Sequence, residues 1–243
     1  MGRGLAPTAA LLLVAGCASL KAATAPDPQA TAVRDLGDAR PEVRARAAAD
    51  LEHGGAASVA PLVAVLSGGP DVARYEAVRI LGRLGPAAAA AAPRLVEMVR
   101  AEELAIPVSV ADALAGIGAP AVPPLLEALR DPDEAVRYWT VRALGGMRPP
   151  PAAALEALTA ALDDPAESVQ GAAAQGLIGA GGAAVPALLR LLLGDDLDRA
   201  TASADLLEQI GTPDAVAALG GDGDEAQEDP TADPAEPEAS PAP

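Results

Sequence analysis

In 243 residues the sequence has no phenylalanine, two tyrosines (Tyr75 and Tyr138), one tryptophan (Trp139), one cysteine (Cys17) and one histidine (His53). Without large aromatics, a core must be assembled from Leu, Val and Ala, which are small enough to let helix backbones approach closely. A lone cysteine excludes an intrachain disulfide. One His without a second Cys cannot make a zinc site and leaves no evident Cys–His or Ser–His–Asp set, so no metal and no catalytic residue is expected. Lysine is nearly missing as well, Lys21 being the only one. The formal net charge of -17 and the lack of a clustered basic patch argue against a nucleic-acid partner. No glycine-rich loop followed by Lys and Ser or Thr is present to cradle a phosphate, and no cofactor is expected.

What the sequence does have is periodicity. Leu51 returns as Leu81, Leu114, Leu144, Leu177 and Leu207, at spacings of 30 to 33 residues. A second ladder, Leu62, Leu95, Leu125, Leu155 and Leu188, keeps the same register. Four residues before each leucine of the first ladder stand Ala47, Ala77, Val110, Thr140, Ala173 and Ser203, all small or β-branched. Glycines follow the ladder leucines closely (Gly55, Gly85, Gly118, Gly181 and Gly211), where helices are expected to stop in a left-handed cap. Acidic and proline starts such as Pro70-Asp71, Asp131-Pro132-Asp133-Glu134, Asp164-Pro165 and Asp195-Asp196 precede the helices that carry the leucines. Prolines such as Pro61, Pro124 and Pro186 open the second helix of a unit. The period predicts a leading helix near 28–37 and six two-helix units. A unit of this size cannot bury its apolar face alone, so the expected fold is an all-α solenoid.

The order Asp71, Arg74, Ala77, Leu81-Gly82, Gly85, repeated as Asp133, Val136-Arg137, Leu144-Gly145, resembles the HEAT repeat in its short bacterial, PBS-lyase-like form. The resemblance covers about residues 30–219. It departs from the pattern at Pro107 and Gln170, which replace an arginine, and in the short second helix of the sixth unit. Tetratricopeptide repeats have a similar period, but their aromatic positions are missing here.

The amino-terminal stretch carries a different signal. Met1-Gly2-Arg3-Gly4 is a short positive start, and the apolar run from Leu5 to Ala15 is too short to span a bilayer. Leu13-Val14-Ala15-Gly16-Cys17 resembles the lipobox of bacterial lipoproteins. That resemblance implies cleavage before Cys17, a diacylglycerol on its thiol and, with Ala18 and Ser19 following, an outer-membrane location facing the periplasm. Two or three acyl chains would hold the protein on the membrane essentially permanently. The expected organisation is a signal peptide at 1–16, a lipidated tether at 17–27, a solenoid at 28–219 and an acidic, proline-rich tail at 220–243. The tail has eight acidic side chains, no basic one and almost no apolar bulk, and is expected to be disordered.

Candidate binding residues fall into two sets. Tyr138, Trp139 and Arg142 lie together, and Trp, Tyr and Arg are the types enriched at binding hot spots. Trp139 lies about 140° around its helix from Leu144, and its counterparts Arg46, Glu76 and Ser109 are polar. The alternative is a Trp folded over the groove between units. The second set, Glu97, Arg100, Glu127, Arg130 and Arg190, occupies polar positions on second helices, which line the inner surface in the family resembled. The alternative there is an ordinary solvated face. Arg44, Arg74 and Arg137 share one repeat position and read either as an anion-binding stripe or as a structural Asp–Arg ladder. Recurrence with the fold favours the ladder.

The expectation is a non-catalytic, membrane-anchored scaffold that binds an unidentified protein. The resemblance leaves a lyase-like enzyme as one alternative, because relatives of this repeat handle bilin chromophores. A structural envelope protein without a selective partner is the other. If Leu144 is a core residue, Leu144→Ala should cost about 2–5 kcal/mol in denaturant unfolding. A much smaller loss would put the ladder on the wrong face.

Overall fold

The computed structural model describes residues 27–101 and 107–220, and thirteen α-helices with no strand lie among them. The leading helix is α1 (Pro28–Asp35). Six pairs follow: α2 (Pro41–Gly54) with α3 (Val59–Gly68), α4 (Asp71–Leu84) with α5 (Ala92–Arg100), and α6 (Pro107–Ile117) with α7 (Val122–Ala128). The remaining pairs are α8 (Glu134–Gly146) with α9 (Ala152–Ala161), α10 (Glu167–Ala180) with α11 (Val185–Leu192), and α12 (Leu197–Ile210) with α13 (Pro213–Ala218). The architecture is the expected α-solenoid. The expected lipid site at Cys17, the tether up to residue 26 and the tail from 221 lie outside the described residues.

Every leucine of both ladders is buried, as are the six small or β-branched residues four positions ahead of the first ladder. Along each first helix this places the leucine and the small residue one turn apart on a single face. Where the small residue is polar, its hydroxyl is satisfied internally: Thr140 donates to the Val136 carbonyl at 2.7 Å, and Ser203 to the Leu188 carbonyl at 2.6 Å. Consecutive first helices pack on one another, most extensively α4 on α6 and α8 on α10. The second helices pack against the other side of the same core. The turn between the two helices of a unit is sharp, 115° between α6 and α7.

The glycines at these turns correct one expectation. Gly211 alone takes the left-handed cap (φ 60°, ψ 14°). Gly55, Gly85, Gly118 and Gly181 combine φ between 56° and 73° with ψ near -135°, a region open essentially to glycine alone. A left-handed cap bends the chain back over the helix it ends. These four instead lead straight into a short 3₁₀ turn and then the second helix, so Pro61, Pro124 and Pro186 sit within that helix's first turn. The fourth unit has no such glycine and leaves α8 through Met147 in an extended conformation.

Glu167–Leu192 has the length and composition to cross a membrane, but it comprises α10 and α11 broken at Gly181, and much of it is buried in the solenoid. The two ends of the solenoid differ. α1 covers the first unit with Ala32 and Leu36 buried, whereas Leu193 and Leu197 beside the last unit are 81% and 78% exposed.

A second use of glycine follows from the packing. A Cβ on Gly145 would stand 2.7 Å from Gly176 Cα, and one on Gly176 would stand 2.9 Å from Gly145 Cα. α8 and α10 therefore meet backbone to backbone, and α4 and α6 do the same through Gly82, Ala113 and Gly116. By contrast, a Cβ on Gly171, also on α10, would meet nothing within 4 Å. Gly171→Ala should stabilise by about 0.5–1 kcal/mol through helix propensity. Gly145→Ala and Gly176→Ala should destabilise by about 1–3 kcal/mol through overpacking. Equal signs for the three variants in thermal unfolding would rule out the close approach.

Candidate functional site

The repeated arginines resolve into structural roles. Asp38, Asp131 and Asp164 each accept a hydrogen bond from the backbone N–H two residues on (Arg40, Asp133 and Ala166), at 2.9, 3.1 and 3.0 Å, setting the turn before α2, α8 and α10. Six residues after each of these aspartates, a side chain reaches back to the same turn. Arg44 Nη1 donates to the Asp38 and Ala39 carbonyls at 2.9 and 3.1 Å, and Arg137 Nη1 to those of Asp131 and Pro132 at 3.0 and 3.1 Å. Gln170, which departs from the arginine pattern, keeps the bond through Nε2 to the Asp164 carbonyl at 2.6 Å. Arg74 pairs with Asp71 on its own helix.

Arg137 does one thing more. Its Nε and Nη2 form a bidentate pair with both oxygens of Asp164 in the next unit, at 2.8 and 2.9 Å, with the side chains only 12% and 11% exposed. The Arg137 hydrogen bonds hold the Asp164 carboxyl below the usual carboxylate range, and the same bonds raise the guanidinium. Asp38 is lowered to about 2, chiefly by the side chain of Arg40. Other pairs also join units: Arg83 with Glu52 at 2.6 Å, Arg100 Nε with Asp131 at 2.9 Å, and Arg199 with Asp163. This accounts for the acidic turn pairs as helix starts and inter-unit contacts, with Asp196 capping α12 through the N–H groups of Asp198 and Arg199.

The second-helix residues stand on the surface, and one of them is bonded to a neighbouring unit. Glu97, Arg100, Glu127, Arg130 and Arg190 are all exposed. Arg100 is spent on Asp131, Arg130 lies beyond the end of α7, and Arg190 stands 4.0 Å from Glu156 with both side chains open to solvent. Such an exposed pair contributes little. His53 lies in the last turn of α2, its Nδ1 2.8 Å from the Ala49 carbonyl. Among the described residues no group of three or more His, Cys, Asp or Glu is placed to hold a metal ion.

The first set is more concentrated. Tyr138 and Trp139 are half-buried at the edge of the core, with ring centroids 4.9 Å apart and planes at 81°. They line an open cleft of about 460 Å³ with Asp133, Glu134, Ala135 and Ser168. Glu134 and Ala135 stand one turn before the two rings on α8, and Ser168, from the first turn of α10, donates its hydroxyl to Glu134. Arg142 is exposed and does not line the cleft. Sequence reading missed Glu134 and Ser168, the latter because its place beside Trp139 depends on how units stack. It also missed Tyr75, which occupies the repeat position of Tyr138 two units earlier. Arg79, at the position of Arg142, lies over the Tyr75 ring at 5.9 Å and bonds Glu76 at 2.7 Å.

The Arg137–Asp164 pair makes stability depend on acid. A carboxylate with a depressed pKa stabilises the fold fully above its unfolded value, near pH 4, and loses that contribution as pH falls through the folded value. Asp164→Asn, which keeps an acceptor for the Ala166 N–H, should therefore be less stable than the parent at pH 7. The gap should close progressively below about pH 4. A gap that is unchanged between neutral and strongly acid pH in denaturant unfolding would show that the pair contributes no proton linkage.

Residues 95–178 match the family model of HEAT repeats. None of the curated proteins matches the sequence. Similar solved structures include the archaeal HEAT-like repeats protein from Thermococcus onnurineus NA1, at 12% identity over 76% of this chain and 81% of that one, with a TM-score of 0.43. The complex of CpcE and CpcF of phycocyanin lyase from Nostoc sp. PCC7120 aligns at 22% identity, covering 83% and 84%, with a TM-score of 0.41. Computationally designed armadillo repeat proteins for modular peptide recognition align at 19% identity, covering 75% and 98%, with a TM-score of 0.38. Residues 95–178 are thus HEAT repeats, and the same helix pair recurs before and after them.

Proposed function

We propose that this repeat scaffold is a non-catalytic, lipid-anchored protein of the bacterial envelope, facing the periplasm from the outer membrane, that binds a partner protein through its solenoid surface. The observation carrying the binding role is the cleft on α8. There two half-buried aromatic rings meet at the surface of a chain that has only three aromatic residues in total. A Trp and a Tyr set in a partly desolvated position supply contact area at little entropic cost, which is the character of an interface anchor. Of the repeated polar residues, Arg100 is bonded to Asp131 and Arg137 to Asp164, so these two offer a partner less. The anchor rests on the stretch Leu13 to Cys17 and its flanks, which lie outside the described residues.

Both halves can be tested in the native host. A photocrosslinking residue placed at Arg142 should give one discrete adduct in membranes. The adduct should disappear in Trp139→Ala and persist in the paired Glu127→Ala/Arg130→Ala variant. An adduct indifferent to Trp139 would move the binding surface away from α8. Separately, Cys17→Ser should abolish palmitate labelling and release the chain from the membrane fraction, and unchanged labelling would remove the anchor from the reading.

A further inference from the structure

Two units of the solenoid carry a tyrosine at the same repeat position, in different surroundings. In the second unit the Tyr75 ring has a cation over it, the Arg79 guanidinium, with the Glu76 carboxylate bonded to that guanidinium. Aromatic face, cation and carboxylate are thus assembled from one helix. In the fourth unit the aromatic part is larger, because Trp139 adds its ring to Tyr138 and the two planes, 81° apart, form a corner. Carboxylates are present as well, at Asp133 and Glu134. The cation is the missing member. No basic side chain lines this cleft, Arg137 is committed to Asp164, and Arg142 makes no ring contact or ion pair among the described residues.

We infer that the Tyr138–Trp139 corner accepts a Lys or Arg side chain of a partner polypeptide, with Glu134 and Asp133 as its counter-charges. The physical basis is the attraction of a cation to the negative face of an aromatic ring, strongest for Trp, reinforced by nearby carboxylates. Asp133 caps α8 by accepting from the Ala135 N–H at 2.8 Å, and Glu134 accepts from Ser168, so both carboxylates are oriented by the fold before anything binds. They also offset the positive end of the α8 dipole, which would otherwise repel a cation. The chain as a whole is strongly acidic, so a basic partner is drawn to it before contact. This inference deepens the binding role proposed for α8 and rests on it.

Trp139 is the only tryptophan, so its emission reports on the corner directly. The full-length chain is titrated with a dye-labelled tetralysine peptide. Binding is followed by anisotropy and by Trp139 emission, with tetraglutamate and side-chain-acetylated tetralysine as controls. Saturable binding accompanied by a Trp139 response is expected for tetralysine alone, weakening with salt. Asp133→Asn/Glu134→Gln, whose amides still accept the cap and the Ser168 bond, should bind about fivefold more weakly. Glu97→Gln/Glu127→Gln, with the same loss of charge on the second helices, should bind as the parent does. The inference is overturned by no binding, by binding without a Trp139 response, or by equal weakening in the two double variants, which would mark a non-specific attraction to an acidic chain. A Trp139 emission that changes with protein concentration but not with peptide would assign the corner to a second copy of the chain and equally overturn it. The crosslink at Arg142 reads partner contact whatever its charge, so it can survive when the peptide result fails.

Discussion

Everything in this molecule depends on how closely one first helix can approach the next. With no phenylalanine and a core of Leu, Val and Ala, the volume between units is small, and the apolar area each unit can bury is limited by how near its neighbour comes. Glycine at the crossing points removes the last side-chain atom between helices, at Gly145 against Gly176 and at Gly82 against Ala113 and Gly116. The leucines on either side then reach full burial against residues of the adjoining unit. Glycine within a helix is ordinarily unfavourable, and here its cost is offset by contact that a methyl group would prevent.

Close stacking also determines where the charges go. Helices that meet backbone to backbone bring their first turns side by side, and the acidic turn of one unit falls within reach of an arginine from the one before. Arg137 and Asp164 are the case in point. In the first unit, Arg44 bonds the carbonyls of its own turn, but the next unit has Gly68 where an aspartate would stand, and the Arg44 Nε is buried without a partner. The ladder is therefore a set of local solutions to one geometric problem. Its purpose is to satisfy helix-start carbonyls, and any bridge between units is added where the sequence happens to supply the acid.

The leucine period alone is enough to place thirteen helices and both buried ladders, because a 3.6-residue repeat nested in a longer one leaves few alternatives. Other features could not be read this way. The glycines ending the first helices look identical in sequence whether they adopt a left-handed cap or the geometry that leads into a 3₁₀ turn. Choosing between the two requires knowing where the second helix lies. Gly145 and Gly176 read as weak points in a helix until the neighbouring backbone is in place. Arg130 falls beyond its helix because α7 is shorter than its apolar pattern suggests. The Trp139 cleft was half visible, since its aromatics are adjacent in sequence. Ser168 belongs to the next unit and becomes a neighbour only through stacking.

Repetition also separates structure from function in a way that a single globular core does not. A residue that recurs in every unit is answering the demands of stacking, and its role can be read from its counterparts. A residue that recurs with altered surroundings is more informative. Tyr75 and Tyr138 share a position, and so do Arg79 and Arg142, yet only Arg79 lies over a ring. The difference traces to the next residue along, Glu76 in one unit and Trp139 in the other. Glu76 bonds Arg79 beside the Tyr75 ring. Trp139 offers no charge to do so, its ring instead meets Tyr138, and Arg142 is left in solvent. One substitution in a repeated pattern thus converts an internally satisfied surface into an open aromatic corner, and a repeat scaffold can acquire a binding site in this way without disturbing the contacts that hold it together.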